Sequence, residues 1–337
     1  GVSNLKIITF GPRPQDFFAC NAPIKGLYEL GVEIEENSEL DLLVSFKEHE
    51  NDPRIPEVCA DMAKEMGEGK YYADLNVKMA QFELTLLDWA EAHKGARKYV
   101  AFADKCWPAF PSQFGFEPCY VNSRLVSRGI PVSCEVDIYG ALSEYIGLCI
   151  SNDAVTLLDI NNSVPQYIYD EDIKGKYDYK LTDTFMGFHC GNTPACKMCD
   201  SRAVKYQLIQ HRLLEPAGSE PDFTRGTLEG DIAASDITFY RLQCNSEGEL
   251  VSYVAEGEVL DVPTRSFGGI GIFAIPEMGR FYRHVLIEGG FPHHGAVAFG
   301  HFGKPLFEVF KMLGVEVDEI GYNQPKGVRY PTENPWG

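Results

Sequence analysis

What this sequence has least of is positive charge and uninterrupted apolar length. Against 49 Asp and Glu it sets 30 Lys and Arg, a formal net charge of −19. Nucleic acid and anionic membrane surfaces both call for clustered Lys and Arg, so neither is an expected partner. No apolar run approaches the length of a membrane span, and the start carries no signal-peptide pattern. A soluble, cytoplasmic protein is expected. Nucleotide-binding patterns are missing as well: Gly11-Pro12-Arg13-Pro14 has neither G-x-G-x-x-G nor P-loop spacing, and Gly268-Gly269-Ile270-Gly271 lies between strand-like runs with no helix after it. There is no internal repeat and no low-complexity tract. Ten cysteines are scattered through the chain, which reads as reduced thiols rather than a disulfide scaffold. The chain opens on Gly1 without a methionine, so its first residue is no guide to a natural start.

What is present is an ordinary globular composition, 45% hydrophobic and 23% charged over 337 residues, enough for two domains with real cores. Leu5 to Phe10 and Lys98 to Phe102 read as buried strands. Ile55, Val58, Cys59, Met62 and Met66 form one helical stripe, and Met79, Phe82, Leu86 and Ala90 another. Ile138, Ala141, Leu142, Tyr145, Ile146 and Cys149 form a third. This alternation predicts a doubly wound α/β domain with a mainly parallel sheet over residues 1–152. Beyond it the pattern turns to short strands at Ile237 to Gln243, Leu250 to Val254, Glu258 to Val262 and Ile270 to Ile275, which predicts a β-rich, barrel-like domain over residues 153–337. The polar stretch Tyr167 to Lys180 reads as a surface excursion, and a late helix is expected from Pro305 to Leu313, with Gly314 past its end.

Two acids stand just after short apolar runs: Glu135 in Pro131-Val-Ser-Cys-Glu-Val-Asp137, and Asp159 in Asp153-Ala-Val-Thr-Leu-Leu-Asp159. A strand, the third helix and a second strand would carry them to neighbouring strand tips, where ligands of open α/β sheets gather. Taken singly, Glu135 reads as well as decoration of a helix N-terminus, and Asp159 as the start of a turn. Asp137, two residues on, reads as a helix N-cap. A third group shifts the balance, because Phe291 to His301 brings three of the eight histidines, His293, His294 and His301, into one short apolar segment. Two carboxylates and one imidazole make an oxygen-rich site for a divalent cation. A competing constellation is His189 with Cys190, Cys196 and Cys199, whose single C-x2-C is half of the usual structural zinc pattern. Arg13, Trp107 and Gln113 follow strands and are placed to line a site, although Arg13 serves equally by pairing with an acid and Trp107 by core packing.

The phrases Thr9-Phe-Gly-Pro-Arg-Pro-Gln-Asp-Phe-Phe18, Cys134-Glu-Val-Asp-Ile-Tyr-Gly140, Asp261-Val-Pro-Thr-Arg-Ser-Phe-Gly268 and Pro292-His-His-Gly295 together resemble the L-fucose/L-arabinose isomerase family of metal-dependent aldose–ketose isomerases. The resemblance implies an open-chain sugar substrate of the L-fucose, L-arabinose or D-arabinose type, isomerised through an enediol. It implies Glu135, Asp159 and His294 as metal ligands, with Glu135 and Asp159 also exchanging protons, and His293 or His301 as the alternatives to His294. Manganese is the expected ion, with magnesium and cobalt also suited to that ligand set. His189 and Asn192, in Gly187-Phe-His-Cys-Gly-Asn192, become expected substrate hydrogen-bonders beside Arg13, Trp107 and Gln113. A homo-oligomer is implied, and the family's first domain is not matched, so this chain alone is expected to bind metal and to isomerise sugars poorly. The alternative is a sugar-binding protein of this fold without turnover.

Overall fold

The computed structural model describes residues 1–207 and 224–323. A parallel four-stranded sheet forms first, in the order β2-β1-β3-β4, from β1 (Leu5–Gly11), β2 (Glu33–Ser38), β3 (Tyr99–Ala103) and β4 (Val132–Ser133). Leu5 through Phe10 are buried without interruption, as a parallel strand covered on both faces must be. A short α1 (Lys25–Glu29) precedes β2. One face is covered by α2 (Glu39–Glu48), α3 (Ile55–Met66), α4 (Ala73–His93) and α5 (Cys119–Ser127), through a core that includes Ile8, Phe10, Met62, Met79, Phe82 and Tyr120. The entry to α2 is fixed by a capping box, in which Ser38 and Asp41 satisfy each other's backbone N–H groups.

The remaining strands build a nine-stranded sheet: β5 (Val155–Asn162), β6 (Thr184–His189), β7 (Ala203–Tyr206), β8 (Arg225–Asp231), β9 (Ser235–Cys244), β10 (Leu250–Val259), β11 (Gly269–Ala274), β12 (His294–Phe299) and β13 (Ile320–Asn323). Pairing of β10 with β11 closes six of them, in the order β10-β9-β12-β5-β6-β11, into an antiparallel barrel. Its interior is filled by side chains such as Leu158, Phe185, Phe239, Tyr253, Phe273 and Val297, as expected for a barrel too small to leave a channel.

One helix joins the two sheets. α6 (Ile138–Ser151) packs Tyr139, Leu142, Tyr145 and Ile146 against Ile7 and Ala101 of the parallel sheet and against Val155, Tyr240 and Ala296 on the barrel wall. Apolar residues therefore run round most of its girth. At Gly147 a Cβ would collide with the Tyr240 hydroxyl, so glycine lets the helix approach the barrel; that hydroxyl donates to the Ser143 carbonyl at 3.0 Å.

The α/β sheet followed by a barrel is the architecture expected from the strand and helix patterns, but its internal seams differ. β4 and β5, expected to bring Glu135 and Asp159 to neighbouring strand tips, lie in different sheets: β5 pairs antiparallel with β12 and β6 and starts the barrel. Leu250 to Val254 and Glu258 to Val262, expected as two strands, merge into β10, because its pairing with β9 runs unbroken for ten residues. Tyr167 to Lys180 does lie at the surface, but it is pinned there by the buried Ile168 and Ile173, which pack on Met186 and Phe188. The late helix spans Gly303–Met312, with Pro305 in its first turn and Gly314 at φ +93° beyond it.

Candidate functional site

The site forms where β4 runs into α6 against the barrel strands β5 and β12. His294 and Asp159 are direct cross-strand partners on β12 and β5, which puts their side chains on the same face of the sheet. The His294 Nε2 stands 3.1 Å from the Asp159 Oδ1 and 3.6 Å from the Glu135 Oε2. The opposite ring nitrogen, Nδ1, lies 2.9 Å from the Asp137 Oδ2. A carboxylate only accepts, so Nδ1 carries a proton and donates to Asp137, which leaves Nε2 as the ring atom facing the two other acids. Carboxylate-oriented imidazoles of this kind are the usual form of a histidine ligand.

Asp137 is itself locked in place. It caps α6 by accepting from the Gly140 N–H at 2.8 Å, and Arg241 on β9 clamps both its oxygens, each at 2.8 Å. Both partners of this pair are almost wholly inaccessible to solvent. Burial pushes the Asp137 carboxyl up, but the Arg241 charge and the His294 hydrogen bond outweigh it and hold the group well below the usual carboxylate range. Burial likewise works against a charged His294, and its contacts with Asp137 and Asp159 overcome it, so the imidazole's affinity for a proton is raised well above normal. For Asp159, burial opposes ionisation and the neighbouring His294 prevails, so its carboxyl is lowered. The site favours positive charge between these groups.

Glu135 is presented by an unusual backbone. It and Val136 both adopt left-handed conformations, at φ 56° and 55°. For a β-branched residue such as Val136 this is a true outlier, and each such residue costs about 1–3 kcal/mol. The turn is held by the Val136 N–H donating to the Asp104 carbonyl at 2.7 Å, and by the Asp137 N–H donating to that of Cys134 at 3.1 Å. Asp104, fully buried at the end of β3, has its carboxyl pushed up to about 7, first by burial and further by the Glu135 charge, against the Asn122 amide that donates to it.

His189 approaches from β6. Its Nδ1 accepts the backbone N–H of Cys190 at 3.0 Å, which leaves the proton on Nε2, and Nε2 donates to the Glu135 Oε2 at 3.3 Å. His189 is therefore a hydrogen-bond donor toward Glu135 rather than a ligand with a free lone pair.

The fit to a cation can be tested on buried polar atoms. Asp159 Oδ1 and His294 Nε2 are both buried, and among the described residues neither makes a hydrogen bond. Buried polar atoms without a hydrogen-bond partner cost free energy, and a cation bound between them would supply one. Asp159, His293 and His294 also offer ligand atoms all within 4.8 Å of one another. Carboxylate oxygens and an imidazole nitrogen suit a divalent cation, and Asp159 and His294, with His293 or Glu135 beside them, are the residues that could hold one.

The other sequence-derived candidates fall in several places. His293 Nε2 lies 3.8 Å from the Asp159 Oδ1 on a more exposed ring, while His301 turns away to the Gly257 carbonyl. Asn192 is buried, and neither its amide nitrogen nor its oxygen has a partner among the described residues. The Trp107 indole N–H is likewise unbonded, Gln113 is exposed and touches Ser112, and Arg13 bonds to main-chain carbonyls. None of these three is joined by a hydrogen bond to Glu135, Asp159 or His294. Cys190, Cys196 and Cys199 do not gather into an ion-binding group among the described residues. The Cys190 N–H is committed to His189, and the Cys199 N–H to the Asp231 carbonyl.

Sequence reasoning missed Arg241, Asp104 and Cys20, whose sulfur lies 3.5 Å from the His294 Nδ1. It also missed Glu144, two turns along α6 from Asp137. Glu144 is fully buried with neither carboxyl oxygen bonded among the described residues, and burial, aided by the Asp137 charge, pushes it up to about 8. Its folded-state affinity for a proton exceeds the unfolded one, so stability is lost as pH rises from the ordinary carboxylate range toward 8. Replacing Glu144 with Leu is expected to stabilise the fold by about 3 kcal/mol more at pH 8 than at pH 4. Urea denaturation of both proteins at the two pH values measures this; an equal shift at both would refute it.

Residues 187–321 match the family described as L-fucose isomerase, C-terminal domain, so the resemblance carried by the motifs stands. Among similar proteins, the chain is 25% identical over 334 residues to a sulfoquinovose isomerase of Alkalicoccus urumqiensis, covering 95% of this chain and 66% of that protein. Sulfoquinovose isomerases of Priestia megaterium and of a Clostridium species are 27% and 24% identical, over 94% of this chain and 64% of theirs. The chain thus spans slightly less than two thirds of the length of these relatives. No helix among the described residues is long and apolar enough to cross a membrane.

Proposed function

We propose that the chain carries the catalytic centre of a metal-dependent aldose–ketose isomerase acting on an open-chain sugar. The observation that carries this reading is the pair of buried polar atoms without hydrogen-bond partners among the described residues, Asp159 Oδ1 and His294 Nε2, 3.1 Å apart with Glu135 beside them. A divalent cation held there, manganese being the best match, supplies the positive charge that lets a sugar oxygen become negative. The chain's residues do the rest. Glu135 and Asp159 take a proton from one of the two carbons and return it to the other. His189, with its proton fixed on Nε2, donates to Glu135 or to an oxygen of the substrate. Asp137 and Arg241 act through His294 as positioning residues. The sugar named by the relatives, sulfoquinovose, joins the L-fucose, L-arabinose and D-arabinose types as a candidate.

Proton transfer through an enediol has a direct signature. A panel of aldoses incubated with the protein and manganese in deuterated water is expected to yield ketose, with solvent deuterium at the carbon that receives the proton. Complete retention of the original hydrogen would point to a hydride shift and remove the acid/base roles of Glu135 and Asp159.

A further inference from the structure

Left-handed backbone at two consecutive residues, Glu135 at φ 56° and Val136 at φ 55°, persists only where the surroundings over-determine it. The sheet alone gives little hold there. β4, which leads into the turn, is two residues long, stands at the edge of its sheet and pairs with β3 alone. Asp104, the residue just past β3, makes up the difference. Its N–H donates to the Ser133 carbonyl at 3.0 Å, and its own carbonyl accepts the Val136 N–H at 2.7 Å. One residue thus grips the chain on either side of Cys134 and Glu135.

The Asp104 side chain anchors that grip to a rigid support. It is wholly buried, and both its oxygens accept from the Asn122 amide, at 3.2 and 3.3 Å. Asn122 is itself buried on α5, and Arg124 ties that helix to Asp61 and Glu65 of α3 and to Glu83 of α4, at 2.7, 2.8 and 2.6 Å. A line of contacts therefore runs from the helical layer through Asn122 and Asp104 to the backbone beneath Glu135. The Asp104 carboxyl is pushed up to about 7, chiefly by burial, so up to neutrality the pair is a protonated acid beside an amide. Asn122 Oδ1 is buried without a partner among the described residues, and the acid proton of Asp104 is a donor of the kind such an atom needs.

We propose that Asp104 is a positioning residue for the isomerisation: by tying the strained turn to α5 through Asn122, it fixes the Glu135 carboxylate against Asp159 and His294. The inference rests on the isomerase reading of those three residues. What is asked of Asp104 is shape and hydrogen bonding rather than charge, so an amide can stand in for the acid.

The experiment measures kcat and KM for Asp104→Ala, Asp104→Asn and Asn122→Ala, and for Asp104→Ala combined with Glu135→Gln. Asp104→Ala is expected to lower kcat about 100-fold with KM little changed, since a catalytic group displaced by about 1 Å loses rate on that scale. Asp104→Asn should restore most of the loss, and Asn122→Ala, which leaves Asp104 in place, should show the same pattern in milder form. With Glu135 already replaced by Gln, the alanine at 104 should cost nothing further, because the group it positions is gone. Equal losses in Asp104→Asn and Asp104→Ala, wild-type turnover in Asn122→Ala, or the same loss with Glu135 replaced would each overturn the proposal. Amide hydrogen exchange at Val136, referred to the amides of β9, tests the tether with no sugar present and so separates it from the isomerase reading. Exchange hastened in Asp104→Ala but not in Asp104→Asn supports the tether even if no sugar is turned over, and unchanged protection in Asp104→Ala rejects it.

Discussion

Glu135→Gln is expected to lower isomerase turnover by about 1,000-fold or more while leaving the fold intact. The amide keeps the shape of the side chain but removes the charge that faces His294 Nε2 at 3.6 Å and the basic oxygen that exchanges a proton. A companion substitution sharpens the reading. Glu135 sits at φ 56°, where glycine alone is unstrained, so Glu135→Gly is expected to be as inactive as the Gln variant yet more stable than it by about 1 kcal/mol. Strain that is tolerated because it aims a reactive group is a common feature of functional sites. Steady-state assays with added manganese and urea denaturation of the three proteins test both statements. A Gln variant with near wild-type turnover would remove Glu135 from the chemistry.

Arg241→Met is expected to destabilise the molecule by about 3–5 kcal/mol, because it leaves the Asp137 carboxylate buried without its counter-ion. Asp137 stays ionised in the folded state to a pH well below the usual carboxylate range. Its contribution to stability is therefore complete above the ordinary carboxylate pKa and is lost as pH falls through its depressed value. In Arg241→Met the carboxyl shifts back upward, so the penalty is largest near neutrality and shrinks in acid. Adding Asp137→Leu should recover much of the stability, since replacing both members of a buried pair is far milder than stranding one. It should not recover metal affinity, which is expected to fall about 10–100-fold once His294 loses the carboxylate that orients it. Full metal binding by the double variant would show that the Asp137–Arg241 pair serves the fold alone.

The residues of the candidate centre were individually legible in the sequence, and the contacts that join them were not. Glu135, Asp159 and His294 each sit in a short motif whose local pattern of strand end, helix start or paired histidines can be read without knowing the fold. Asp137 was legible as a cap for the same reason, since its contact with the Gly140 N–H spans three residues. Its second role depends on Arg241, 104 residues away on β9, and only closure of the barrel brings the two together. Cys20 reaches His294 across 274 residues, and nothing local marks it. The packing of α6 against both sheets was hidden because it is apolar on most sides. A helix buried between two sheets carries the same stripe as one lying on a single sheet, so periodicity alone could not show that α6 also covers the barrel wall. The tautomer of His189 turns on the backbone N–H of its own neighbour, Cys190, a contact the sequence does contain but that has meaning only once Glu135 is seen beside Nε2.

The measurement that bears most directly on the central claim is anomalous diffraction at the manganese edge from crystals grown with the ion. The expected result is one strong peak about 2.0–2.4 Å from oxygens of Glu135 and Asp159 and from the His294 Nε2, with the Asp137 and Arg241 contacts to that histidine unchanged. A peak at Cys190, Cys196 and Cys199, or none near His294 at saturating manganese, would contradict it.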